Sequence, residues 1–152
     1  MAALIEITAP QLDALVRRVE RAAHADLGQL LELVGEQQVS AAQTRISRTK
    51  KSPSGARWAP WSPRYAQTRG TQHSLLVGEG SLRDSLTQQR DGRAAVLVGS
   101  TMEYAAAHLY GYPQRGLRAR PFLDTDGGFA DPEDRAELRG LVEDWISEEL
   151  GG

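Results

Sequence analysis

The 152-residue sequence contains no cysteine, which excludes disulfides and thiolate metal ligands together. It also lacks any apolar run of about 18 residues, the length that a membrane-crossing helix requires. Its first residues, Met1-Ala2-Ala3-Leu4-Ile5-Glu6, have neither the basic start nor the long apolar stretch of a secretory signal. Histidine is scarce: His24, His73 and His108 are scattered, with no two of them at metal-ligand spacing. His24 and Asp26 lie two apart, so a helix would point them in different directions. No Gly-x-Ser-x-Gly elbow occurs, and Gly78-Glu79-Gly80 lacks the rest of either phosphate-binding fingerprint. The expectation is a chain without catalytic residues, metal or cofactor, made in the cytoplasm without membrane contact.

Acidic residues are missing from one long stretch. Between Glu36 and Glu79 stand Arg45, Arg48, Lys50, Lys51, Arg57, Arg64 and Arg69, and no carboxylate. From Asp124 to Glu149 the imbalance reverses, with ten acids opposed only by Arg135 and Arg139. The net charge of −2 conceals this segregation. It is open to three readings: two solvated faces, complementary surfaces joining neighbouring subunits, or a basic loop for nucleic acid. Opposite patches on one molecule suit a head-to-tail contact, which closes into a ring when the rotation permits.

What is present is the material of one soluble domain: 40% apolar and 25% charged residues, in a chain long enough for a modest core. Leu4–Ile7 reads as an extended lead-in. Thr8 and Gln11 have capping-box spacing at the start of a helix. Leu12, Leu15, Val16 and Val19, then Leu27, Leu30, Leu31, Val34, Ala42 and Ile46, keep a helical period that predicts helix over 9–50 with a core-facing stripe. Gly28 and Gly35 weaken it by roughly 1 kcal/mol each, so a break is expected near one of them. Residues 51–74 read as a loop: Ser52-Pro53-Ser54-Gly55 is a turn, and Trp58-Ala59-Pro60-Trp61-Ser62-Pro63 is too proline-rich for a helix interior or central strand. The tryptophans could stack on bases, but pinning the loop to the core or to a neighbouring subunit is the favoured reading.

Residues 75–125 hold a small sheet and short helices. Leu75-Leu76-Val77 ends at Gly78 and Gly80, and Ser81 is expected to cap a brief helical turn. An Asp91-Gly92 turn between Leu86–Gln89 and Ala94–Gly99 predicts an antiparallel hairpin. Tyr104–Tyr110 is a candidate helix stopped by Gly111, Tyr112–Arg118 an exposed loop, and Gly127-Gly128 a joint. Asp131 and Pro132 open a final helix over 132–150 with Leu138, Leu141, Val142, Trp145 and Ile146 on its apolar face. The fold class is α+β, one domain over 1–152: a small antiparallel sheet flanked by a long N-terminal helical region and a C-terminal helix.

Several of these blocks together resemble the phage virion morphogenesis family, the tail-completion and neck proteins of Mu-like and P2-like tailed phages. Ser52-Pro53-Ser54-Gly55-Ala56-Arg57-Trp58-Ala59-Pro60 is similar to the family's PDG-x-W-x-P pattern. Leu75 to Leu86 resembles L-x-x-x-G-x-L-x-x-S, and Val98-Gly99-Ser100, then Tyr104-Ala105-Ala106-Ala107-His108 with Gly111, follow in order. Arg118-Ala119-Arg120-Pro121-Phe122-Leu123 is close to I-P-A-R-P-F-L. Three positions depart from the pattern: Ser54 replaces an aspartate, Leu109 a glutamine, and Arg118 a proline.

The resemblance implies a structural protein of the virion, assembled in the host bacterial cytoplasm and acting at the head–tail junction or tail end as completion protein or tail terminator. It implies a homo-oligomer, a hexameric ring, contacting neighbouring neck and tail-tube proteins, with DNA passing through the lumen. Aromatic and arginine residues anchor such interfaces. The candidates here are Arg48, Lys50, Lys51, Trp58, Trp61, Tyr110, Tyr112, Arg115, Arg118 and Arg120. For Trp58, Tyr104, Phe122 and Leu123 the alternative is the subunit's own core. The acidic C-terminal helix is expected to meet the basic 45–69 segment of a neighbour or to line the channel. The alternative function is a DNA-binding accessory protein using that basic segment.

Overall fold

The helical period of the N-terminal region breaks just before Gly28. In the computed structural model, which describes residues 9–69, 74–78, 80–124 and 130–151, it divides into α1 (Ala9–His24) and α2 (Gly28–Thr44). The Asp26 carboxylate accepts the Gly28 backbone N–H at 2.9 Å, satisfying one amide that the helix start leaves without an internal partner. Beyond Thr44 the helix widens into one π-helical turn, Arg45–Thr49, and ends at Lys50, which is left-handed at φ 54. Leu4–Ile7, the Thr8–Gln11 capping box and the Gly127-Gly128 joint lie outside what is described.

α1 departs from the expected core stripe. Val16 and Val19 are 46% and 60% exposed, because α1 meets the rest of the subunit chiefly through α6 (Pro132–Leu150). A helical period shows that residues share a face, not that the fold covers it. The core stripe holds from α2 onward, where Ala42 and Ile46 are fully buried.

The hairpin forms from β1 (Leu86–Asp91) and β2 (Ala95–Ser100), antiparallel, with Leu86 opposite Ser100 and Asp91 opposite Ala95. Gly92 takes the positive φ of the connection, +69°. Val96 and Val98 turn towards α2 while Leu97, between them, is 56% exposed, the two-residue alternation of a sheet covered on one side. α2 approaches this sheet at Gly35, where a Cβ would stand 2.5 Å from Gln88 Oε1 and 2.9 Å from Val96 Cγ2. The glycine that weakens the helix is thus the one that lets it lie against the strands.

Two helices differ from expectation. Residues 63–69 form α3 (Pro63–Arg69), inside the segment read as loop. Pro63 stands at its first position, where its missing N–H leaves nothing unpaired, so proline here starts a helix. Before α4 (Ser81–Asp84), the capping position belongs to Gly80 at φ +85, and Ser81 is already helical. α5 (Ala105–Tyr110) and a 3-10 turn (Pro113–Arg115) are the elements described between β2 and α6. Asp131 caps α6 by accepting the Glu133 N–H at 2.9 Å, with Pro132 in the first turn.

Ala42, Ile46, Trp58, Leu82, Leu86, Ala105 and Phe122 form the central core, with Leu109 and Leu123 packed against it. Full burial of a side chain such as Phe122 or Ile46 contributes about 1.5–3 kcal/mol. Leu138 and Trp145 of α6 are buried as expected, while Ile146 is 40% exposed. The architecture is an α+β domain, six α-helices around a two-stranded antiparallel sheet among the described residues.

Candidate assembly surface

The chain has a second stretch without acids: after the 37–78 segment, none occurs from Tyr104 to Leu123. The fold brings the two together. Trp58 Nε1–H donates to the Pro121 carbonyl at 3.0 Å. Arg120 Nε–H donates to the Ala59 carbonyl at 2.9 Å, and a terminal guanidinium nitrogen to that of Pro60 at 3.1 Å. The Arg120 backbone N–H in turn donates to His108 of α5 at 2.7 Å. Burial lowers the Arg120 pKa, with Tyr65 acting in the opposite direction.

Between these segments lies a groove of about 1090 Å³. Its lining includes Trp61, Tyr65, Arg69, Tyr104, Arg115 and Arg118, and among the described residues no carboxylate. Trp61 meets Tyr65 edge-on at 5.9 Å between ring centres, and the Arg69 guanidinium lies 5.2 Å from the centre of the Tyr65 ring. Arg69 Nε–H also donates to the Tyr65 hydroxyl at 2.7 Å. Arg115 sits 5.8 Å from the centre of the Tyr112 ring. Such arginine–aromatic pairs keep charge exposed while covering apolar surface.

The sequence candidates sort into three groups. Lys50, Trp58 and Arg120 make their contacts within the chain. Trp58 is 5% exposed. Lys50 Nζ donates to the carbonyls of Ile46 and Leu75 and to Ser74 Oγ, and burial lowers its pKa. Trp61, Arg115 and Arg118 meet in the groove, with Tyr110 and Tyr112 exposed beside them on the same stretch of chain. Arg48 and Lys51 are exposed after α2 and do not line the groove. Tyr104, weighed as core, is 42% exposed, whereas Phe122 is 1% exposed.

Sequence reading missed Tyr65 and Arg69. Their signal was the four-residue spacing Trp61–Tyr65–Arg69, which a helix would align, and it was hidden because that segment was read as loop. It also missed that acid and base meet inside one chain. Arg45 is buried and pairs with Asp131 and Asp134 of the acidic segment. At least this part of the charge segregation is satisfied within the chain.

Among the described residues no group of three or more histidines or carboxylates is placed to hold a metal, and no helix is long and apolar enough to cross a membrane. The fold and surface define a small α+β domain with an aromatic, arginine-lined face. Residues 7–147 match the model of the phage virion morphogenesis family, and the chain belongs to that family. No curated protein and no solved structure matches it. A virion-associated structural or assembly role follows from the membership.

Proposed function

We propose that the protein is a non-enzymatic component of the head–tail junction or tail end, acting as tail-completion protein or tail terminator within a ring of identical subunits. The observation that carries this reading is the groove and its surroundings. Exposed Tyr110, Tyr112, Arg115 and Arg118 stand beside half-buried Trp61. This is the residue mixture that anchors protein interfaces. A hexamer is the expected ring, with neck and tail-tube proteins as neighbours and DNA passing through the lumen. Arg48 and Lys51 remain candidates for a second contact, separate from the groove.

The DNA-binding alternative loses ground on the same geometry. Of the basic 45–69 segment and its tryptophans, Arg45 and Trp58 are buried and Lys50 is engaged with backbone carbonyls. Electron microscopy of lysates from a phage deleted for this gene tests the proposal. DNA-filled heads beside detached tails are expected, with normal-length tails for a completion protein and overlong tubes for a terminator. Infectious virions in normal numbers would overturn it.

A further inference from the structure

The groove is concave and arginine-bearing, with no carboxylate among its described lining residues, and α6 offers a convex surface of opposite character. Ile146 is 40% exposed, and Glu143 and Glu149, three residues to either side, share its helix face and are exposed. The face therefore presents Ile146, with half-buried Val142 one turn before it, bracketed by two carboxylates. Among the described residues none of α6 lines the groove of its own chain, so the two surfaces are separate on one molecule. Matching surfaces at separate places on one molecule generate a head-to-tail contact that repeats around a ring.

We propose that the groove between α3, α5 and the 111–120 segment receives the C-terminal half of α6 from a second copy of this chain. Ile146 packs among Trp61, Tyr65 and Tyr104, and Glu143 and Glu149 pair with Arg69, Arg115 and Arg118. The match accounts for the absence of acids from the 59–69 and 104–120 walls of the groove: a carboxylate there would oppose the incoming helix, and like charges brought together at an interface are strongly unfavourable. It also moves the expected contact of the acidic helix away from Arg48, Lys50 and Lys51. The inference rests on the ring-subunit reading above.

Charge exchange tests it, with variants supplied from a plasmid to a phage lacking the gene. Arg115→Glu with Arg118→Glu, and separately Glu143→Arg with Glu149→Arg, are each expected to reduce infectious titre by about 100-fold. The chain carrying all four substitutions is expected to recover most of that loss. Thermal unfolding of each purified variant shows whether the subunit still folds, and Ile146→Lys provides an independent variant that leaves all four charged residues in place. Wild-type titre for both pairs, or no recovery in the combined variant while it remains folded, would overturn the docking. Loss of binding to a double-stranded oligonucleotide on Arg115→Glu with Arg118→Glu, with Glu143→Arg and Glu149→Arg inert in titre, would assign the groove to nucleic acid instead. If deleting the gene leaves the titre unchanged, the ring-subunit reading itself fails, a result distinct from either of these.

Discussion

Arg45 is locked inside the subunit against Asp134, 89 residues further along the chain. The same guanidinium donates to the Phe122 carbonyl at 3.1 Å and pairs with Asp131 at 3.2 Å. One side chain thereby joins the end of α2, the core residue Phe122 and the first turn of α6. With 4% of its side chain exposed, its charge depends on those partners. Arg45→Met should lower stability by about 3–5 kcal/mol, because it leaves buried carboxylate charge without a counter-ion. Arg45→Met combined with Asp134→Leu should recover much of the loss. Urea unfolding of the two variants checks both statements, and equal instability in the two would contradict them.

Trp58 belongs to the core, so its substitution should act on folding. Trp58→Phe keeps most of the packing but leaves the Pro121 carbonyl without its donor, at an expected cost of about 1–3 kcal/mol. Trp58→Ala should cost about 3–5 kcal/mol through the cavity it opens. Thermal unfolding of the isolated subunit gives the answer; unchanged stability with failed assembly would restore Trp58 to the interface.

Lys50, Arg48 and Lys51 are neighbours in sequence with different expected behaviour. Arg48→Glu and Lys51→Glu should change stability by less than about 0.5 kcal/mol, as exposed positions do. Lys50→Glu removes the donor to the Ile46 and Leu75 carbonyls and should cost about 1–3 kcal/mol. Circular dichroism melting of the three single variants separates these cases.

How far the sequence was legible depends on the range of the interaction. The Asp131–Pro132 helix start, the hairpin and the stop at Gly111 were readable because each is set within a few residues. α3 was missed because a proline that forbids a helix interior also favours a helix start, and composition alone does not say which applies. The exposed face of α1 was misread because periodicity carries no information on what covers it. The internal role of Arg45 and the meeting of Trp58 with Pro121 join residues dozens of positions apart, and local pattern does not reach that far. The groove was legible only as two acid-free segments, and the fold had to place them side by side.

His108 gives the fold a pH dependence of known sign. Burial first, and the Arg120 charge second, hold its pKa below the ordinary 6.5, and its Nδ1 is buried without a hydrogen-bond partner among the described residues. The unfolded chain therefore takes up this proton more readily than the folded one. The contribution is complete above the unfolded pKa and is lost as pH falls below it. The melting midpoint should drop between about pH 7 and pH 5.5, a range that begins above the carboxylate pKa values. His108→Gln should flatten the drop, and an identical slope in the variant would assign it to other groups.

The most direct test of the assembly role is the position of the protein on the particle. Gly92 at the hairpin tip has open space around it, and such tips tolerate insertions. An epitope tag inserted after Gly92 can therefore be located by gold-conjugated antibody on purified virions. The account predicts gold at the junction of head and tail or at the head-proximal end of detached tails. Label on the capsid shell or the distal tail tip, or a tagged and infectious phage whose particles carry no label at all, would contradict it.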